Sequence, residues 1–173
     1  MTQTQEVGLT RTRTFSWSDP AAHAAMVGRR SGLEMLRAMI SGELPPPPFM
    51  QTIDVDGFEA DEGRVTVRLT PQEFHYNPLG SVHGGILSTL LDTAAACTVH
   101  SVLPAGQGYT SMDLNVKFLR PVTTASGQLR CTGAILSRTR RNALAEARLT
   151  DESGQLVAYA TSSCLIFDVP PGR

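Results

Sequence analysis

The stretch NPLGSVHGGILSTLLD, residues 77–92, places a single carboxylate, Asp92, in an otherwise uncharged apolar run nine residues after the histidine of a His-Gly-Gly. A carboxylate buried without partners costs several kcal/mol or has its pKa driven upward. Asp92 is therefore a paired structural acid, an acid turned away from the core, or a working group in a cleft. His83-Gly84-Gly85 heads the same run. Paired glycines leave backbone N–H groups accessible, and a helix start carries roughly half a positive charge from its aligned peptide dipoles. Such an end suits a carbonyl oxygen that gains negative charge during attack. By itself a His-Gly-Gly is more often a plain, flexible helix entry.

Spacing adds a constraint. Gly84 and Asp92 are eight residues apart, about 12 Å along one helix axis. The two cannot reach one carbonyl carbon and its oxygen from the same helix. If they share a reaction, one of them comes from another chain. Two such helices lying antiparallel across a two-fold axis bring each Asp92 to the partner's Gly84. The expectation is an obligate homodimer with two composite sites.

Other reactive side chains carry weaker signals. Cys97, Cys131 and Cys164 lie more than thirty residues apart, with no CxxC and no His/Cys pairing, so a metal site and a disulfide framework are not expected. Each reads as a core thiol. His75 and His100 have no partner at telling spacing and read as surface or core-edge residues. Ser88 and Ser111 lie outside any GxSxG elbow, which argues against a serine hydrolase. Arg138, Arg140 and Arg141 in SRTRRN, and Arg120, could hold phosphates or decorate a solvated hairpin.

Composition narrows the classes. The chain has 173 residues, 41% hydrophobic and 18% charged, with a formal net charge of −1. That is enough chain for one domain with a proper core, and it lacks the basic excess of a nucleic-acid or anionic-membrane binder. No apolar stretch reaches the roughly 18 residues needed to span a bilayer. The opening MTQTQEVGLTRTRTFSW has no apolar core of a secretory leader. A cytoplasmic protein is expected.

The elements that must position Asp92 and Gly84 follow from periodicity. Residues 1 to about 16 are polar and read as loose. Ser18-Asp19-Pro20 is a helix start, and SGLEMLRAMISGEL is a helix with Ser31 as N-cap and Gly42 near its stop. LPPPPFM should end it in an extended polyproline segment. TIDVDGFEA and GRVTVRLT read as strands joined by a turn at 61–63, and residues 71–82 as an irregular loop. A helix of about 17 residues spans roughly 84–101. Strand-like stretches follow near 109–119, 127–137, 142–151 and 155–167, with a turn at DESG, 151–154. A helix apolar around most of its circumference needs burial almost all round. One antiparallel sheet curved about it provides that, in an α+β arrangement.

The pattern Asn77-Pro78-x-Gly80-x-x-His83-Gly84-Gly85 with Asp92 resembles the PaaI-type acyl-CoA thioesterases of the hotdog-fold superfamily. YTSMDLNVKFLRP at 109–121 is similar to the family's third strand, and the segment from Asn142 to Phe167 to its last hairpin. The resemblance covers roughly residues 46–167. It implies a hotdog domain over 46–173, a long helix wrapped by a six-stranded antiparallel sheet, preceded by a helical arm over 1–45. It implies hydrolysis of an acyl-CoA thioester to a free acid and coenzyme A, with Asp92 as general base or nucleophile. The Gly84 N–H of the opposite subunit would polarise the carbonyl. Asn77 and His83 would sit beside the substrate, and Ser111 would help hold the water, with Thr110 as the one-residue alternative. Gly85, Thr110, Arg120, Arg140 and Arg141 are candidates for substrate contacts. No metal or organic cofactor is implied, coenzyme A entering only as part of the substrate. Hotdog dimers often pair again into tetramers, and the sequence leaves that open. Acyl preference is expected to depend on Met112, Leu114, Val55, Phe58, Phe74 and the arm. Two other functions stay in view: a non-catalytic acyl-CoA-binding or sensor module, and a dehydratase or hydratase on the same fold.

Overall fold

In a computed structural model the chain is described over residues 10–169. The loose stretch expected over 1 to about 16 therefore falls partly, over its first nine residues, outside the described residues. Residues 10–16 form neither helix nor strand, yet they are anchored. Arg13 donates from Nη1 to the Thr52 carbonyl at 2.7 Å and from Nη2 to the Gln51 carbonyl at 2.9 Å. Its guanidinium lies 4.1 Å from the Phe74 ring centroid.

The arm holds three short helices: α1 (Pro20–Ala24), α2 (Gly32–Ile40) and α3 (Pro48–Ile53). At the start of α2, the Glu34 N–H donates to Ser31 Oγ at 3.3 Å and the Ser31 N–H donates back to Glu34 Oε2 at 2.8 Å. This reciprocal box satisfies two donors that a helix start would otherwise strand. The Gly32 N–H donates to the Leu103 carbonyl at 2.9 Å. A Cβ on Gly32 would lie 1.8 Å from the His100 carbonyl oxygen, so the entry of α2 fits flush against the long helix only as glycine.

α3 departs from the expected polyproline segment and from the expected strand onset at residue 52. Pro48 occupies the first turn of the helix, where its missing N–H is no loss. Met50 is buried, and Asp54, in the left-handed region at φ 62°, ends the helix. The strand begins only at Gly57.

The body contains β1 (Gly57–Asp61), β2 (Arg64–Leu69), α4 (Gly84–Ser101), β3 (Gln107–Ser111), β4 (Asn115–Phe118), β5 (Leu129–Arg138), β6 (Asn142–Thr150) and β7 (Leu156–Asp168). The antiparallel sheet runs β1-β2-β5-β6-β7-β3, with β4 also on β7. The expected strand over 109–119 is thus interrupted. Ser111 pairs with Cys164 and Asn115 with Thr161, so four steps on one strand face three on the other. The extra residue is a bulge, in which Asp113 stands in for the ladder. Its Oδ1 accepts from the Ser163 N–H at 3.0 Å and its carbonyl from Ser162 Oγ at 2.8 Å. Counting β3 and β4 as one interrupted edge, the sheet has six strand positions around one helix, which is the hotdog arrangement.

Small residues bring helix and sheet together. Ala94 and Ala95 of α4 face a sheet interior that includes Ala145, Ala147 and Ala160, all at 0% exposure. A Cβ on Gly133 of β5 would lie 2.3 Å from the Ala94 carbonyl oxygen. Leu87, Leu90, Leu91 and Val99 fill the flanks. A second bulge, between Ile135 and Ser137, bends β5 and β6 around the helix. Among the described residues no helix is long and apolar enough to cross a membrane.

Candidate active site

α4 is buried round most of its surface, and the exception is a stripe. Ser88, Thr89 and Asp92 are half-buried and fall three to four residues apart along one face. Asp92 thus lies away from the Ala94 face that packs on the sheet. Ser111, at the end of β3, donates from Oγ to Asp92 Oδ1 at 3.1 Å. Between the two neighbours proposed for this contact, Ser111 makes it, while the exposed Thr110 hydroxyl turns to the Ser111 carbonyl at 3.5 Å. Alternation along a strand accounts for the difference, since adjacent side chains point to opposite faces.

Asp92 and Ser111 stand on the boundary of two spaces. On one side is a cavity of about 400 Å³ that reaches Cys97, His100 and Tyr109 of the body and Met35, Met39 and Met50 of the arm. On the other is an open depression of about 360 Å³ reaching Ser88, Met112 and Leu114. Ser88 also borders a separate hollow of about 650 Å³ formed by Asn77, His83, Gly84 and Phe118. Within one chain, Asp92 and Gly84 therefore face different hollows.

The His-Gly-Gly end has a defined hydrogen-bond pattern. His83 is the N-cap of α4, and its Nδ1 accepts the Gly85 N–H at 2.9 Å. That contact puts the ring proton on Nε2 and occupies the N–H that Gly85 could otherwise offer a substrate. The Gly84 N–H, at the first helical position, has no acceptor among the described residues. Asn77 shapes the preceding loop: its Oδ1 accepts from the Leu79 N–H at 2.9 Å and the Ser81 N–H at 3.3 Å. Arg120 is exposed, and the exposed Arg140 and Arg141 line a shallow hollow of about 220 Å³ with Phe167 and Asp168. These arginines do not gather with Asp92.

Three groups in the 400 Å³ cavity escaped the spacing argument. Burial pushes the Cys97 thiol up to about 12, which removes it as a nucleophile at neutral pH. Burial likewise raises the Tyr109 hydroxyl, which is paired with that thiol. Desolvation lowers His100 to about 4, so its ring is neutral there. His75, read as a surface or core-edge residue, is 2% exposed: Nδ1 accepts from the Gln72 N–H at 3.0 Å and Nε2 donates to the Ile53 carbonyl at 2.9 Å. Of the pocket residues expected from sequence, Met112 and Leu114 border the Asp92 depression, whereas Val55 and Phe58 line a groove on the far side of the arm. Phe74 packs on Arg13. The arm's Met35 and Met39, one helical turn apart, carried a signal in their i, i+4 spacing. Among the described residues no three His, Cys, Asp or Glu side chains gather closely enough to hold a metal ion.

Comparison with known proteins bears on this geometry. The profile of the thioesterase superfamily matches residues 79–158. Mouse (Mus musculus) acyl-coenzyme A thioesterase 13 is 30% identical over 125 residues, which cover 71% of this chain and 88% of that protein. The chain belongs to the thioesterase superfamily. A solved protein from Ralstonia eutropha JMP134, described as related to phenylacetic acid degradation, is 30% identical with a TM-score of 0.68, covering 75% of this chain and 98% of that one. The Bacillus halodurans protein BH2602, solved with CoA, is 27% identical with a TM-score of 0.66, covering 81% of this chain and 91% of that one. The chain spans between 59% and 88% of the lengths of the curated relatives it matches, the lower figure for an esterase of Halobacterium salinarum. This superfamily member is thus a hotdog protein of a thioester-hydrolysing family, with an arm that precedes the profile match.

Proposed function

We propose that the protein is an acyl-CoA thioesterase that works as a homodimer, converting an acyl-CoA and water to a free acid and coenzyme A. Asp92 drives the attack, either by taking a proton from water as the water oxygen bonds to the carbonyl carbon, or by bonding to that carbon itself. The C–S bond then breaks, and the thiolate leaves and collects a proton. Where Asp92 has bonded to the carbon, water next cleaves the resulting mixed anhydride, giving the free acid and restoring the carboxylate. A thiolate leaves readily, so one carboxylate and one oxyanion donor suffice, and the reading requires no cofactor. The oxyanion donor is the Gly84 N–H of the partner subunit. One observation carries this reading: Asp92 is half-buried, held by Ser111, and opens on one side to a mostly apolar cavity and on the other to a depression accessible from outside.

The unpaired Gly84 N–H supports the composite site, as does its separation from Asp92 along a single helix. His83 and Asn77 hold this donor end in place, and the exposed Arg120, Arg140 and Arg141 are candidates for the coenzyme phosphates. Pairing of dimers into a tetramer and a cytoplasmic location are compatible with this function. Purified protein should release thiol from acyl-CoAs, and Asp92→Asn should lower kcat by about a thousandfold or more. Full activity in Asp92→Asn, or tight acyl-CoA binding by the wild type without turnover, would defeat the proposal.

A further inference from the structure

The cavity beside Asp92 ends on the arm. Lined on the body side by α4 and β3, it is closed on the other by Met35, Met39, Phe49 and Met50 from α2 and α3. These residues precede the segment matched by the superfamily profile. Beyond them lies a second, more open groove of about 600 Å³, bordered by Arg13, Phe15, Ile40, Gln51 and Phe58. Among the described lining residues the two spaces share only Met39 and Met50. Both side chains are nearly buried, at 9% and 7% exposure. Lining both spaces, these two side chains stand between them as a partition.

We propose that Met39 and Met50 are the length stop of the acyl pocket. This rests on the thioesterase reading, which puts the thioester carbonyl at Asp92 and Ser111. With the coenzyme leaving through the open depression, the acyl group points into the 400 Å³ cavity and ends against the two methionines. Among the described residues lining that cavity, most are apolar and none is Lys or Arg; its histidines are His23 and the neutral His100. The fitting substrates are those with apolar acyl groups. A benzene ring occupies an engineered cavity of about 150 Å³, so the 400 Å³ space has room for a ring with a linker or a medium-length chain, and the two methionines bar a longer one. Methionine is unbranched and polarizable, which makes the stop compliant: selectivity falls gradually with chain length instead of abruptly.

The partition is fixed in place by backbone contacts at both ends. Gly32 seats α2 on the end of α4, and Arg13 binds the carbonyls of Gln51 and Thr52 in α3. Shortening either methionine should therefore join the two spaces instead of letting the arm collapse into the gap.

The test is kcat/KM for thiol release from octanoyl-CoA and hexadecanoyl-CoA by wild type, Met39→Ala, Met50→Ala and the milder Met39→Val. The hexadecanoyl-to-octanoyl ratio should rise about tenfold in the alanine variants, and by less in Met39→Val. Ile40→Ala, which enlarges only the outer groove, should keep the wild-type ratio. An unchanged ratio in active alanine or valine variants, or an equal rise in Ile40→Ala, overturns the length stop and leaves the thioesterase reading intact. Absence of any wild-type thiol release overturns that reading, and the stop with it.

Discussion

A neutral imidazole in an apolar cavity makes stability depend on pH at the level of one residue. His100 is lowered from its ordinary value of 6.5 to about 4, chiefly by desolvation, with the nearby His23 charge adding to the effect. His75 moves the same way, also chiefly by desolvation. In the window between the unfolded and folded values the unfolded chain binds more protons than the native one. Stability is therefore complete above pH 6.5 and is lost as pH falls toward 4. For His100 alone the loss between pH 7 and pH 5 is about 2 kcal/mol. Urea unfolding at those two pH values should show it in wild type and show less of it in His100→Phe, whose ring keeps the contact with Tyr109, 5.2 Å away between centroids. Equal losses in both proteins would remove His100 as the source. Cys97, pushed up to about 12 in the same cavity, stays a thiol throughout this range.

Among the elements, the seating of α2 on α4 governs whether the cavity has an outer wall. The contact is backbone to backbone, through the Gly32 N–H and the Leu103 carbonyl, with no room for a methyl group beside the His100 carbonyl. Gly32→Ala should therefore lift α2, destabilising the protein by about 2 kcal/mol or more. Urea unfolding reads the loss. Limited proteolysis should cut faster between residues 20 and 53 in the variant than in wild type, and an unchanged pattern would show that α2 adjusts without leaving. The capping box at Ser31 and Glu34 was visible in the sequence as a helix start, but its docking was not. Nothing local in Gly32 announces which carbonyl it will meet. The same holds for α3, where prolines that suggested an extended segment instead begin a helix, because burial of Met50 and the Arg13 contacts outweigh local preference. The break between β3 and β4 also came from pairing: Asp113 takes over ladder bonds that only the neighbouring β7 supplies.

At the scale of the whole molecule the question is whether catalysis needs two chains. Gly84→Pro isolates the proposed donor, because proline is tolerated at the first helical position and removes only the N–H. His83, at φ −62° and ψ 136°, already has the extended conformation that a following proline requires. The nearest atom to a Cβ there is the tip of the exposed Phe118 ring, at 3.0 Å, which can yield. Gly84→Pro and Asp92→Asn should each be nearly inactive alone. Unfolded together and refolded as a mixture, they should regain part of the wild-type rate, since each mixed dimer has one site with both groups intact. Light scattering should give at least twice the 18.6 kDa chain mass. A monomer with full activity, or mixtures no more active than their parts, would return both groups to one chain.

The sequence alone determined the α+β class, the long helix over 84–101, and Asp92 and Gly84 as the residues to watch, because these follow from local periodicity and from the oddity of one acid in an apolar run. It also carried the family, through the loop-and-helix spacing around His83. Only the tertiary structure decided that Ser111 and not Thr110 holds Asp92, that His83 occupies the Gly85 N–H and leaves Gly84's open, and that the arm closes the cavity at Met39 and Met50. Each of those depends on which side chains residues far apart in the chain present to one another, and sequence spacing constrains that only within a single helix or strand.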